Sequence, residues 1–71
     1  MRQPNQESDP VAHTVRLLEV RDRSLLVADG RRRMFLPVSQ LLSRVPGRTE
    51  AGTEIEVVVP AWLAERQGWR G

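Results

Sequence analysis

The stretch from Ser24 to Leu36 constrains the fold of this chain more than any other. Two short runs, Ser-Leu-Leu-Val-Ala and Arg-Arg-Arg-Met-Phe-Leu, flank Asp29-Gly30, a dipeptide that suits the two left-handed positions of a type I′ turn. With Asp29 and Gly30 as the loop, Ala28 faces Arg31, Val27 faces Arg32, Leu26 faces Arg33, Leu25 faces Met34 and Ser24 faces Phe35. Side chains alternate along a strand, so Leu25, Val27, Met34 and Leu36 share one side, with Arg32 among them near the turn. Leu26, Arg31, Arg33 and Phe35 share the other. The first side reads as a core and the second as a surface able to hold something. A one-residue slip would exchange the faces and bury arginine heads, which cannot be paired cheaply.

The remaining segments extend this hairpin into a small sheet. Met1 to Pro10 is polar, carries two prolines and has almost nothing to bury, so it reads as a disordered lead-in to a single domain over residues 11–71. In Val11 to Val20 the residues Val11, His13, Val15 and Leu17 alternate on one face, whereas Leu18 and Val20 fall on the other. That switch predicts a bulge near Leu17-Leu18, or a strand buried on both faces. Arg21-Asp22-Arg23 is a polar turn into the hairpin, which makes the first three strands a meander. Leu36-Pro37 closes the third strand, because proline cannot donate to the ladder. Pro37 also suits the first turn of a short helix over Val38 to Ser43, with Leu41 and Leu42 closing an end of the sheet. Val45-Pro46-Gly47 reads as a turn with glycine at its positive-φ corner, and Arg48 to Gly52 as an exposed loop. Thr53 to Val59 is a strand with Ile55, Val57 and Val59 on one side and Glu54, Glu56 and Val58 on the other. If it lies beside the hairpin, Glu54 or Glu56 neutralises part of the arginine stripe.

Pro60 opens a helix over Ala61 to Gln67, and Gly68 stops it as the left-handed residue beyond the last turn. Trp69 then stands where a Schellman motif returns an apolar side chain to the last turns, against Leu63 and Ala64. Trp62 and Leu63 are expected to be largely buried. The fold class is therefore mainly β: a small bent antiparallel sheet or SH3-like barrel of four to five strands with a short C-terminal helix.

Composition removes several classes of function. The chain has 71 residues and no cysteine, so thiolate metal sites, disulfides and cysteine nucleophiles are excluded. No apolar run approaches the ~20 residues of a membrane span, and no apolar signal core is present, so a cytoplasmic protein away from the membrane is expected. His13 is the only histidine and stands in a strand as a surface or satisfied residue, without a ligand role. Glu54 and Glu56 share a face as a general acid-base pair would, but alternating acids on a solvated face explain them. No phosphate loop, metal cluster or activated nucleophile is present, so neither an enzyme nor a cofactor is expected.

Phe35-Leu36-Pro37 followed by Ser39-Gln40-Leu41, and Val59-Pro60-Ala61-Trp62-Leu63-Ala64 followed by Gly68, resemble motifs of a class of small phage- and plasmid-borne bacterial proteins. That class shows aromatic-Leu-Pro-x-Ser-Gln after a hairpin and then Val-Pro-x-Trp-Leu-Ala. The resemblance covers about two-thirds of the chain. It implies a compact β-rich fold of mobile-element origin and no catalytic residue. The three successive arginines and the ending Trp69-Arg70-Gly71 depart from its pattern.

Charge points to binding. The net charge is only +2, yet all eleven basic residues are arginine, whose planar fork suits phosphates, carboxylates and stacking on bases. A GC-rich genome explains that bias by itself. The position of Arg31 and Arg33 beside Phe35 is more telling. Two arginines flanking a ring suit the phosphates and bases of a single strand, so a nucleic-acid-binding module is the first expectation. The alternative is a protein-docking or inhibitory adaptor from a phage or mobile element, such as an anti-defence protein, since Arg and aromatic residues also anchor protein interfaces.

Overall fold

A computed structural model describes residues 9–69 of the chain. Strands β1 (Pro10–Val20), β2 (Ser24–Asp29), β3 (Arg32–Pro37) and β4 (Glu54–Pro60) precede one helix, α1 (Ala61–Gln67). The strands form a single antiparallel sheet in the order β3-β2-β1-β4. The expected β-rich class with a short C-terminal helix is what the chain adopts. Of its two forms it takes the open sheet, because β3 and β4 are the two edges and do not close into a barrel. Most of the lead-in expected over Met1 to Pro10 lies outside the described residues; Pro10 already opens β1.

The bulge comes where the apolar pattern switches. Leu17 pairs with Val27 and Glu19 with Leu26, so Leu18 is the extra residue on β1. Without it Val20 would face solvent; with it Val20 pairs with Leu25 and packs against the core.

The hairpin differs from expectation in its loop. Asp29 pairs with Arg32, Val27 with Met34 and Leu25 with Leu36, so the two-residue loop is Gly30-Arg31. Gly30 has φ 64° and no other loop residue has positive φ, the sign pattern of a II′ turn with glycine first. The ladder gains a rung because Asp29 is held in the strand by His13. Each pairing moves by two residues, an even shift, so the faces stay as read. Leu25, Val27, Met34 and Leu36 are buried, and Arg33 and Phe35 are exposed. Arg31, expected on the strand face, is a loop residue at the hairpin tip.

One face of the sheet carries the core: Val15, Leu17, Leu25, Val27, Met34, Leu36, Val57 and Val59, roofed by Leu63, Ala64 and Trp69. The helix roof follows a 3.6-residue period from Pro60. Pro60, Leu63 and Ala64 are buried and Gln67 is half-buried, whereas Trp62, Glu65 and Arg66 point outward. Trp62, expected inside, is therefore 43% exposed, and the buried tryptophan is Trp69 at 2%. Gly68 at φ 81° reverses the chain, its N–H donating to Glu65 and that of Trp69 to Ala64, which is the Schellman arrangement. Arg32, on the core side of β3, reaches past the sheet end and donates from Nη1 to the Gln67 carbonyl at 2.9 Å. A cation thus caps one of the helix's open carbonyls instead of being buried.

The β3–β4 connection is irregular. It holds two short 3-10 turns, Val38–Gln40 and Arg48–Glu50, in place of the longer helix expected from Val38. Leu42 is 56% exposed and does not close the sheet; its N–H donates to Val58, and the Ser43 hydroxyl accepts from the N–H of Val58. That segment covers the β4 edge, a common way of protecting an edge strand. Pro46 is buried and Gly47 has φ −84°, so no positive-φ corner forms there. No helix among the described residues is long and apolar enough to cross a membrane.

Candidate functional site

Helix α1 packs on the core face of the sheet and does not cover the opposite face. The residues of that open face come from alternate positions of four strands: Arg33 and Phe35 on β3, Leu26 and Ala28 on β2, Thr14, Arg16 and Glu19 on β1, Glu54 and Glu56 on β4. Phe35 is 51% exposed and lies across from Leu26 on the same face. The guanidinium of Arg21 sits over the ring, 5.5 Å from its centroid, a cation–π contact. Arg21 also meets Glu19 at 3.6 Å, which keeps the guanidinium beside Phe35.

Arg21 was hidden in the sequence by its place in a polar turn. The signal that finds it is the bulge: beyond Leu18, odd-numbered residues of β1 change sides, so Glu19 and Arg21 fall on the open face with Phe35. Two expected site residues, Arg33 and Phe35, are thus together on that face, with Arg31 beyond them at the hairpin tip and Arg21 added from β1's exit. Neither Arg31 nor Arg33 is in an ion pair among the described residues.

The acidic residues are elsewhere. β4 pairs with β1 and not with the hairpin, setting Glu54 opposite Arg16 and Glu56 opposite Thr14. The expectation that these glutamates neutralise the arginine stripe is overturned by the strand order, since β1 and β2 stand between them and β3. Charge on this face is consequently graded, arginine at the β3 side and glutamate at the β4 side.

His13 is satisfied on the other face. Its Nε2–H donates to the Asp29 carboxylate at 3.1 Å, and its ring stacks on Trp69 with centroids 4.4 Å apart. Among the described residues no three of His, Cys, Asp or Glu gather as metal ligands would. Comparison of the chain with family models, curated proteins and solved structures returns no match.

Proposed function

We propose that this chain is a non-enzymatic binding module that takes single-stranded nucleic acid on the open face of its sheet. The observation that carries the reading is Phe35: a half-exposed ring on the open face, with Arg33 and Arg21 beside it and the carboxylates Glu54 and Glu56 three strands away on β4. A base stacks on such a ring, and the guanidinium groups of Arg31 and Arg33 contact the flanking phosphates. Base stacking of this kind is worth about 1–3 kcal/mol per base.

A second reading rests on the edges of the sheet. The β4 edge is covered by Leu42 and Ser43, whereas no backbone group among the described residues bonds to the outer edge of β3. A protein partner that adds a strand to β3 would meet the same arginines and Phe35. The two readings separate by experiment. Purified wild-type protein and the Arg31→Glu/Arg33→Glu double variant are titrated against labelled DNA and RNA single strands. In parallel, both are used to capture partners from a bacterial lysate with and without nuclease. Single-strand binding lost in the double variant supports the first reading. Nuclease-resistant capture without any strand binding supports the second.

A further inference from the structure

The pairing registers set Arg33, Ala28, Arg16 and Glu54 in one row across all four strands of the open face. Ala28 is the only small member, so the row dips at its centre. The β1–β2 pairing also ends at Arg16 and Ala28, while the hairpin ladder runs on to Asp29 and Arg32. The hairpin tip parts from β1 there. A depression of about 340 Å³ opens at the junction, lined by Thr14, Arg16, Ala28, Asp29, Gly30 and Glu54, with the Asp29 carboxylate engaged by His13. That volume is at the small end of the range for ligand pockets.

Arg16 and Glu54 are opposite charges directly across a strand pair, a placement that normally brings the two together. Here they do not pair. Arg16 donates from Nη1 to the Gly52 carbonyl at 3.1 Å, and Glu54 has no ion-pair partner among the described residues. Gly52 does not line the hollow, and its carbonyl takes one guanidinium nitrogen; Arg16 makes no ion pair among the described residues. An acidic and a basic residue, Glu54 and Arg16, therefore border one small hollow without pairing with each other, on the same face as Phe35 and Arg33.

We propose that this hollow is a base subsite selective for guanine, an inference that rests on the single-strand reading above. An ionised carboxylate only accepts hydrogen bonds, through two oxygens side by side. Guanine alone among the bases presents two adjacent donors, N1–H and the N2 amine, on its Watson–Crick edge. Its O6 and N7 accept from a guanidinium. Adenine and cytosine set an acceptor nitrogen beside their amine, which Glu54 repels, and thymine and uracil offer one N–H between two carbonyls. Glu54 equally repels a bare phosphate, so the hollow takes a base while Arg31 and Arg33 hold the backbone. Strand spacing places the hollow about 12 Å from Phe35, within reach of a neighbouring nucleotide of the same strand.

The test uses fluorescence anisotropy with labelled oligodeoxynucleotides of about ten residues, a length within the usual single-strand site size. One is all thymine; others carry isolated guanine, adenine or cytosine residues in that background. Wild type is expected to bind the guanine oligomer about tenfold more tightly than the thymine one. Glu54→Gln, an exposed substitution whose fold is checked by circular dichroism, is expected to bind both equally, with affinity for the thymine oligomer retained. Arg31- and Arg33-dependent binding with no base preference, or a preference for adenine or cytosine, overturns the guanine subsite and leaves the single-strand reading standing. A guanine preference that survives in Glu54→Gln overturns the assignment to this hollow. Absence of binding to every oligomer removes the single-strand reading, and the subsite with it.

Discussion

The imidazole of His13 lies nearly parallel to the indole of Trp69, with centroids 4.4 Å apart and planes inclined by 15°, while its Nε2–H donates to Asp29. A β1 side chain thereby ties the last described residue of the chain to the loop end of the hairpin. Arg32 makes a second tie by donating to Gln67. Replacing His13 by Ala should cost about 1–2 kcal/mol, the combined scale of one aromatic stack and one hydrogen bond. In a Trp62→Phe background the remaining Trp69 emission should also shift to the red. Unchanged stability and emission would mean that Leu63 and Ala64 alone hold Trp69.

The two tryptophans should respond unequally to truncation. Trp69 is buried in the core, so Trp69→Ala should cost about 3–5 kcal/mol, a large part of the stability of a domain this small. Trp62 lies off the buried stripe of α1, and Trp62→Ala should change stability by no more than about 0.5 kcal/mol. Urea unfolding of both variants checks this. A Trp62→Ala variant less stable than Trp69→Ala would contradict the helix orientation.

Gly30 isolates the conformational cost of the turn. It has φ 64°, and a Cβ built there meets nothing within 4 Å, so Gly30→Ala strains only the backbone. The expected loss is about 1–2 kcal/mol by thermal unfolding. Arg31, without positive φ, should tolerate Ala with little change in stability. The reverse order of sensitivity would place the loop differently.

Acid should weaken the 44–50 loop. The Glu50 carboxylate accepts the Gly47 N–H at 3.0 Å and faces Arg44 at 3.3 Å. The Gly47 bond first, and then Arg44, hold its carboxyl below the usual carboxylate range despite partial desolvation. A folded value below the unfolded one makes the stabilisation complete above the unfolded pKa, and it is lost as pH falls through the folded one. The melting-temperature gap between wild type and Glu50→Gln should therefore shrink between about pH 7 and about pH 3. A gap independent of pH would show that Glu50 contributes through packing.

Local signals carried most of the fold. The Leu17-Leu18 switch located the bulge, the alternation around Asp29-Gly30 set the hairpin faces, and Pro60 with Gly68 bounded the helix. Features that differ from the sequence pattern depend on contacts between distant segments. Asp29 suits a turn, yet His13, sixteen residues earlier, draws it into the strand and moves the loop to Gly30-Arg31. Trp62 lies outside because the helical period counted from Pro60, not hydrophobicity, decides which side chains of α1 face the core. Of the site, Arg33 and Phe35 were legible from strand parity. Arg16 and Glu54 were not, because their row exists only once β4 is known to pair with β1.

If Arg31, Arg33 and Phe35 contact a single strand as proposed, the contacts fix how binding depends on salt. Phosphate contacts release counterions, giving a slope of about −0.7 per contact in log K against log salt for single strands. Titration of wild type and Arg31→Ala/Arg33→Ala with a labelled DNA single strand over a range of salt should show the slope shallower by about 1.4 in the double variant. Phe35→Ala should instead keep the wild-type slope and lose about 1–3 kcal/mol of affinity. Identical slopes and affinities for all three proteins would mean that these residues do not contact the strand.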